Sequence, residues 1–335
     1  MAVFALAGGL TVQAQSNWKV LKTYAIGGEG GWDYVAVDSP GHRLFVPRGT
    51  HTMVIDSETG KLLGDIPGQK IAHGVAIVPK AGRGFISDGG GDGAVVVFDL
   101  KTYVVLGRVV AQPDADGIIY DSVLDKVLVV SGDKGVLMTF NPGLDLGHNK
   151  IEQTIDLGGA PEFLASDGSG KVYINLMDKN VVAVVDLKAS TVIARWPVAP
   201  GGKPVGMSMD AKKRLLIIGC RGPKKLIVIS LDDGKVVSAL PIGDNVDATI
   251  IEGDEIFASC GDGSLTVARE SSAGKFEVSQ VVKTQAGART MGFDAATHKF
   301  YLPAAEIVPP KSGKGRPETK PGSFMIVVVG SDSGN

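Results

Sequence analysis

The sequence has little cysteine and little net charge, and it carries no familiar catalytic motif. Two cysteines in 335 residues allow at most one disulfide, which excludes a disulfide-stapled scaffold and a cysteine-rich zinc site. A formal net charge of −2 gives no general attraction to nucleic acid or to an anionic membrane surface. The sequence contains no nucleophile elbow, HExxH segment or CxxC pair, so no motif assigns a catalytic class.

Long hydrophobic runs are also lacking, and the apolar stretch at the N-terminus is short. Residues 3–10 are apolar, and Val12-Gln13-Ala14 follows as a small-residue cleavage pattern. We interpret residues 1–14 as the remnant of a secretory signal peptide; the alternative is an N-terminal β-strand. The run is too short to span a bilayer. We therefore expect a soluble periplasmic or secreted protein with no membrane span.

What the sequence does contain is an internal repeat. The residues that end the first apolar strand of each unit are separated by 40, 43, 46, 43, 42 and 42 positions. Seven units of this period are typical of the four-stranded blades of a β-propeller. These seven residues are Asp38, Val78, Asp121, Asp167, Asp210, Glu252 and Asp294.

Each unit repeats short β-branched or aromatic strands bounded by Gly, Asp and Pro turns, which is the all-β signal. We predict one all-β domain over residues 18–330, a seven-bladed β-propeller. The last unit lacks its fourth strand, and we expect residues 19–24 to supply it and so close the ring. The predicted blades are 27–68, 69–111, 112–157, 158–199, 200–242, 243–284 and 285–330.

The second strand of the fourth unit, Val172-Tyr173-Ile174-Asn175, resembles the Tyr-Val-Thr-Asn strand of YVTN repeats. Residues 18–330 as a whole resemble the YncE-like YVTN family of exported bacterial propellers. This resemblance implies the propeller fold and export, and it implies a function that is either unassigned or binding. The segments that are also similar are Gly31-Trp-Asp-Tyr34, Ala72-His-Gly74, Pro161-Glu-Phe163, Val246-Asp-Ala248 and Gly287-Ala-Arg-Thr290.

A set of polar residues recurs five positions before each repeat-equivalent residue. The first strand of each blade lines a propeller's channel, so side chains at equivalent positions should meet at one channel mouth. Six of the seven are polar or ionisable. This predicted ring consists of Asp33, His73, Asp116, Glu162, Val205, Asp247 and Arg289.

The ring is open to three chemical interpretations. His73, Asp116 and Glu162 could bind a divalent metal, because histidine and carboxylates are ordinary ligands. The same residues with Asp33 could act as general acids and bases. Alternatively, the ring is a solvated, internally paired structural feature. We expect a ligand to present cationic or hydroxyl groups to the carboxylates, an anionic group to Arg289, and apolar surface to Val205.

Loops at the same mouth add further candidates. Arg48, His51 and Arg221 are expected to border a ligand, and Trp32 is expected to serve either as core or as a stacking platform. The Pro- and Lys-rich insertion 304–322 in the last blade is predicted as a loop over the ring, either a lid or a solvated segment.

Three function classes remain. The first is a binding or scaffold protein for a small polar molecule or another exported protein; the second is a metal-assisted hydrolase or lyase; the third is a structural interaction module. We expect a monomer that does not bind nucleic acid. Cys220 and Cys260 are expected to be unpaired, because they lie on second strands of neighbouring blades that splay apart.

Overall fold

The computed structural model describes residues 17–148, 151–272, 274–308 and 318–331, and this part of the chain contains β-strands and two short 3-10 helices but no α-helix. The described segments also contain no helix that is long and apolar enough to cross a membrane. The predicted signal-peptide remnant, 1–14, lies outside the described residues. The 3-10 helices are Pro79–Ala81 and Leu146–His148.

The strands form five four-stranded sheets, one seven-stranded sheet and one two-stranded ladder, and all paired strands are antiparallel. In chain order they are β1 (Trp18–Ala25), β2 (Ala36–Asp38), β3 (Arg43–Pro47), β4 (Gly49–Asp56), β5 (Leu62–Val78), β6 (Arg83–Asp88), β7 (Ala94–Asp99), β8 (Val105–Val110), β9 (Ala115–Asp121), β10 (Lys126–Ser131), β11 (Val136–Phe140), β12 (Gln153–Asp156), β13 (Pro161–Ser166), β14 (Lys171–Leu176), β15 (Val181–Asp186), β16 (Thr191–Pro197), β17 (Pro204–Asp210), β18 (Leu215–Arg221), β19 (Lys224–Ser230), β20 (Val236–Pro241), β21 (Val246–Glu252), β22 (Glu255–Cys260), β23 (Ser264–Ser272), β24 (Lys275–Lys283), β25 (Gly292–Asp294), β26 (Lys299–Ala304), β27 (Ile307–Val308), β28 (Glu318–Thr319) and β29 (Met325–Ser331).

Aspartates at strand ends make the turns between strands. Asp56 Oδ1 accepts hydrogen bonds from the backbone N–H groups of Glu58 and Thr59, at 3.0 and 2.8 Å. Asp99 and Asp186 make the same pair of bonds to the two residues that follow at the same spacing. This Asx-turn geometry explains why the repeat is punctuated by aspartate, because the side chain replaces a backbone partner in the turn.

The seven-stranded sheet is continuous because β5 is unusually long. The first part of β5 pairs with β4, and its last part, from Ala72 to Val78, pairs with β6. One strand thereby serves as the outer strand of β2–β5 and the inner strand of β5–β8.

The N-terminal and C-terminal strands share a sheet. β1 pairs with β29 through seven residue pairs, and the strand order of this sheet is β1-β29-β26-β25. Residues 19–24, which the sequence analysis assigned to the last unit, lie within β1. Trp18 at the start of β1 is buried against the rings of Phe257 and Phe300.

The core of the described residues consists of seven hydrophobic clusters. Each cluster joins a group of strands to the group next to it. One cluster combines Val78 and Val97 with Val129 and Phe140, for example. Another joins the two ends of the chain, because it includes Leu44 and Val46 of β3 together with Tyr301 of β26 and Ile326 and Val328 of β29.

Five of the inner strands carry a β-bulge, an irregularity that places an extra residue opposite the partner strand. The irregularities lie between Ala72 and Val75, opposite Val129 to Ser131, between Pro161 and Leu164, between Pro204 and Met207, and between Val246 and Ala248. A bulge bends the strand and redirects its side chains. In each strand, the residue at the bulge is the one that the repeat spacing assigned to the predicted ring.

Glycine follows the ring position in three of these bulges. A Cβ atom on Gly117 would lie 2.4 Å from the carbonyl oxygen of Glu162, and one on Gly206 would lie 3.0 Å from Cα of Ala248. The backbone of the next inner strand therefore approaches too closely for a side chain. Gly74 is the third such position, where a Cβ would meet the Ile118 side chain at 2.9 Å.

Two further expectations concern the cysteines and the insertion in the last unit. Cys220 and Cys260 are both buried and free, which confirms that they are unpaired. The insertion 304–322 is not only a loop: β27 and β28 pair antiparallel within it, and Lys320 Nζ lies 2.8 Å from Glu306 Oε2. Residues 309–317 of the insertion lie outside the described residues, so the lid hypothesis stays a prediction.

Candidate functional site

Five residues of the predicted ring are in contact: three lie at bulges of inner strands, and Asp33 and Arg289 lie just before β2 and β25. His73 Nδ1 lies 2.8 Å from Asp33 Oδ2 and 3.5 Å from Asp116 Oδ1. Arg289 Nε donates a short hydrogen bond to Asp247 Oδ2, and Arg289 also approaches Asp33 Oδ1, at 3.8 Å. Arg289 therefore links an Asp–His–Asp group on one side to Asp247 on the other.

Two residues from outside the predicted ring complete the group. Arg221, a loop candidate of the sequence analysis, donates through its terminal nitrogen to Asp247 Oδ1 at 2.5 Å. Asp114, which the sequence analysis did not identify, places Oδ1 3.9 Å from His73 Nε2. Glu162, the remaining polar residue of the predicted ring, is within electrostatic range of Arg221, Asp247, Asp114 and Asp33. We call these eight residues the mouth cluster: Asp33, His73, Asp114, Asp116, Glu162, Arg221, Asp247 and Arg289.

Val205 does not belong to the mouth cluster, contrary to the sequence-based expectation. Its side chain is fully buried, and the Asn175 amide donates to its backbone carbonyl at 2.8 Å. The bulge in β17 turns this residue into the core. Arg221, from the neighbouring strand β18, extends to Asp247 on this side of the cluster instead.

Arg48 and His51 also lie apart from the mouth cluster. The Arg48 side chain is buried, and its guanidinium donates to the backbone carbonyls of Gly27, Glu29, Gly30 and Gly31 while packing over the Phe324 ring. Arg48 thus fixes the glycine-rich loop that leads into Asp33, and it has no free donor for a ligand. His51 Nδ1 lies 3.3 Å from the Thr50 hydroxyl.

Trp32 packs in the core rather than forming an open stacking platform. Its side chain is buried beside Phe324, with ring centroids 5.9 Å apart. Its backbone carbonyl accepts a hydrogen bond from Arg289 at 3.2 Å, so the residue also helps to position the cluster.

Tyr34 and Phe163 are functional candidates that sequence reasoning missed. Each follows a predicted ring residue directly in sequence, and the centroids of their rings lie 4.8 Å apart. Burial, and then the negative charges of Asp116, Asp247, Asp33 and Glu162, raise the pKa of Tyr34 well above its usual range. The Tyr34 side chain is therefore within electrostatic range of four carboxyl groups. Their positions immediately after ring residues were the available signal.

Two cavities with mostly apolar walls are lined in part by residues that directly follow members of the mouth cluster in sequence. One, of about 320 Å³, is lined by first strands β2, β5 and β9, and the other, of about 230 Å³, by β17, β21 and Met291 just before β25. Both are also lined by Tyr34, Val35 and Phe163. The mouth cluster is therefore polar and the walls of the neighbouring cavities are mostly apolar, a combination typical of ligand sites.

The electrostatics of the mouth cluster show a shortage of positive charge. Burial is the main cause that raises the pKa values of Asp114, Asp116 and Asp247, and neighbouring carboxylates add to it. Burial lowers the pKa of His73, but its hydrogen bond with Asp33 and the charges of Asp116 and Asp114 outweigh this and raise it to about 9. Histidine is therefore protonated at pH 7, and the carboxyls still outnumber the cations.

Metal-ligand geometry is found in one group of the described residues, Asp33, His73 and Asp116, whose donor atoms lie within 4.8 Å of one another. This set differs from the predicted His73, Asp116 and Glu162, because Asp33 replaces Glu162. A metal would take the place of the proton between His73 Nδ1 and the two carboxylates.

The comparisons with known proteins support the fold and leave the chemistry open. No family model matches the chain. A curated relative, the U3 small nucleolar RNA-associated protein 18 homolog of Arabidopsis thaliana, is 27% identical over 158 residues, which are 46% of this chain and 29% of that protein. The chain thus spans less than a third of that relative's length.

Among solved structures, a chain of Kuenenia stuttgartiensis hydrazine synthase is similar with a TM-score of 0.70 and 12% identity, covering 87% of this chain and 96% of that one. At this identity the likeness shows the fold alone. The chain has a β-propeller-like all-β architecture.

We expect Glu162→Gln to remove part of the pH dependence of stability. Burial first, and then Asp247, Asp114 and Asp33, raise the pKa of Glu162 from 4.5 to about 7 against the opposing effect of Arg221. The folded state therefore holds a proton that the unfolded chain releases, and wild-type stability falls as pH rises from about 4.5 to about 7.

Glutamine cannot ionise, so this variant should be more stable than wild type at pH 8 by about 2 kcal/mol and equal to it near pH 4. Urea denaturation at both pH values measures the difference. Glu58→Gln, at an exposed position, is the control, and identical pH profiles for the two variants would contradict the prediction.

Proposed function

We propose that this chain is an exported, seven-bladed β-propeller of the YVTN type that binds a small polar ligand through a cationic group at the channel mouth. The seven-unit period, the predicted blade boundaries and the seven hydrophobic clusters support seven blades. The pairing of β1 with β29 and the cluster that joins β3 to β26 and β29 support a closed ring.

The observation that carries the binding proposal is the charge of the mouth cluster. Five carboxyl groups face three cationic side chains, which leaves a formal charge of −2 when all are ionised. Burial, with a smaller contribution from neighbouring carboxylates, raises the pKa values of four of these carboxyls, and a bound cation would stabilise their ionised forms.

The same geometry disfavours an anionic ligand group at Arg289, which the sequence analysis had expected. Arg289 already donates to Asp247 and to the Trp32 carbonyl, and Arg221 donates to Asp247 and to the Val246 carbonyl. An anion would have to displace a buried carboxylate from two arginines.

Calorimetric titration with ethanolammonium, a small polar cation, tests this function. We expect one saturable site per chain and at least tenfold weaker binding to Glu162→Gln, the change expected from the loss of one charged hydrogen bond. Acetate is the matched anionic probe and should not bind. If ethanolammonium fails to bind, or binds the variant equally well, the proposal is overturned.

The second candidate is a metal-assisted hydrolase or lyase, and the Asp33–His73–Asp116 geometry favours it. The same side chains would then hold a divalent cation, with Glu162 available as a general acid or base. Elemental analysis after dialysis against Zn²⁺ or Mn²⁺ tests it: we expect one equivalent that is lost in His73→Ala. A chain that binds neither metal nor ethanolammonium is the structural module of the third hypothesis.

A further inference from the structure

The smaller of the two cavities adjoins the mouth cluster at Asp247. Asp247 belongs to the cluster and also to the wall of this 230 Å³ cavity, whereas no member of the cluster lines the larger one. The rest of the wall is largely apolar and includes Met207, Ala248, Ile250 and Met291. A molecule held by the cluster therefore has an apolar space next to it on this side.

Glu162 is placed to hold the charged end of such a molecule. It is half-buried, and no hydrogen-bond or ion-pair partner for its carboxylate lies among the described residues. Asp33, Asp116 and Asp247, in contrast, are all engaged with His73 or with an arginine. The bulge between Pro161 and Leu164 carries Glu162 and Phe163 together, and Phe163 lines the cavity.

Aromatic rings complete the boundary between the charged and apolar parts. Tyr34 and Phe163 lie 4.8 Å apart with an angle of 47° between their planes, and both contribute to the wall of the cavity. Aromatic faces attract organic cations and also pack against alkyl groups. A bare metal ion would use Asp33, His73 and Asp116 and would leave the apolar cavity without a role.

We propose that the mouth cluster and the smaller cavity form one amphipathic site for an organic ammonium ion with a short apolar tail. The ammonium group binds at Glu162 beside the Tyr34–Phe163 pair, and the tail enters the cavity between Met207 and Met291. This inference rests on the proposed cation-binding function and specifies its ligand class.

A series of n-alkylammonium ions from methyl to hexyl tests the inference by calorimetric titration at constant pH. We expect affinity to rise about fourfold for each added methylene, the fold-change that corresponds to burial of one CH₂ group, until the cavity is filled. The heat-capacity change of binding should become more negative along the series, as burial of apolar surface requires. This second readout needs only the wild-type protein.

Two matched variants locate the tail. Ile250→Phe fills the wall of the smaller cavity and should abolish the gain with chain length. Ile77→Phe makes the same change in the wall of the larger cavity and should leave the gain intact. Melting temperatures of both variants establish that they are folded.

The outcomes separate this inference from the proposed function. If all ions of the series bind at Glu162 with equal affinity, the tail has no site and only the inference fails. If the gain disappears in Ile77→Phe rather than in Ile250→Phe, the inference also fails. If neither ethanolammonium nor any alkylammonium ion binds, the proposed function fails with it.

Discussion

A chain that begins at Ile26 should unfold at a temperature at least about 10 °C lower than a chain that begins at Asn17, because it lacks β1. β1 supplies seven residue pairs to β29. Without it, β29 becomes an exposed edge strand with unpaired backbone groups, and such an edge also promotes aggregation.

The two ends of β1 connect it to other sheets as well. Trp18 packs edge-on against Phe257 and Phe300, and its Nε1 donates to Glu255 Oε2 at 2.9 Å. Tyr24, at the other end, donates to the Ser57 carbonyl at 3.0 Å. The strand therefore joins the sheet of β21–β24 to the last sheet and to the start of the first.

The substitution Trp18→Ala separates packing from strand pairing. We expect it alone to lower the free energy of unfolding by about 3–5 kcal/mol, as for other buried tryptophans. Thr23→Ala, at an exposed position of the same strand, should cost less than about 1 kcal/mol. Thermal unfolding followed by circular dichroism measures all three changes. If the truncated chain and the full chain have the same melting temperature, β1 is not part of the cooperative unit.

Much of the fold follows from local sequence chemistry. Aspartate at the end of a β-branched run makes an Asx turn, and the period of these turns locates the strands. Residues 19–24 could be assigned to the last unit because that unit lacked a strand, and β1 lies there. The long β5 could not be foreseen, because its continuity depends on pairing with β4 and β6 at once.

The site is less accessible to such reasoning. The repeat spacing places Asp33, His73, Asp116, Asp247 and Arg289 in one group, and the structure joins these residues by contacts. The spacing selects one residue in each unit, so it passes over the next residue along the chain. Phe163 was missed at the bulge of β13, and Tyr34 was missed just before β2.

The direction of a long side chain is also difficult to predict from the sequence. Arg48 and Arg221 occupy comparable positions near the ends of second strands. Arg48 turns inward to the carbonyls of residues 27–31, whereas Arg221 extends to Asp247. The direction depends on which acceptors the tertiary structure leaves unsatisfied, and the sequence does not show this.

Asp247→Asn should be the most damaging single substitution in the mouth cluster. Asp247 is 4% exposed, and it accepts hydrogen bonds from both Arg221 and Arg289. The neutral amide leaves Arg221 without its carboxylate partner and leaves Arg289 with only the more distant Asp33 Oδ1, at 3.8 Å. Removing one partner of a buried ion pair costs about 3–5 kcal/mol. Because both arginines remain partly exposed and can regain water, we expect a loss of about 3 kcal/mol.

The matched control is Asp254→Asn, which breaks an exposed ion pair. Asp254 Oδ1 lies 2.6 Å from Lys213 Nζ, but its side chain is 53% exposed. Pairs of this kind contribute about 0–1 kcal/mol, so the free energy of unfolding of this variant should be close to that of wild type. Urea denaturation at pH 7.5 compares the free energies of unfolding of the two variants.

The effects of Asp247→Asn and Glu162→Gln together distinguish a cation-binding site from a solvated ring of charges. A large loss for Asp247→Asn together with a gain for Glu162→Gln means that the arginine side is fixed by structure while the Glu162 side carries a charge that the fold leaves unbalanced. That division is what a cation site requires. Equal, small changes in the free energy of unfolding at both positions would mean that the mouth cluster is a solvated ring of charges with no unbalanced charge to attract a ligand.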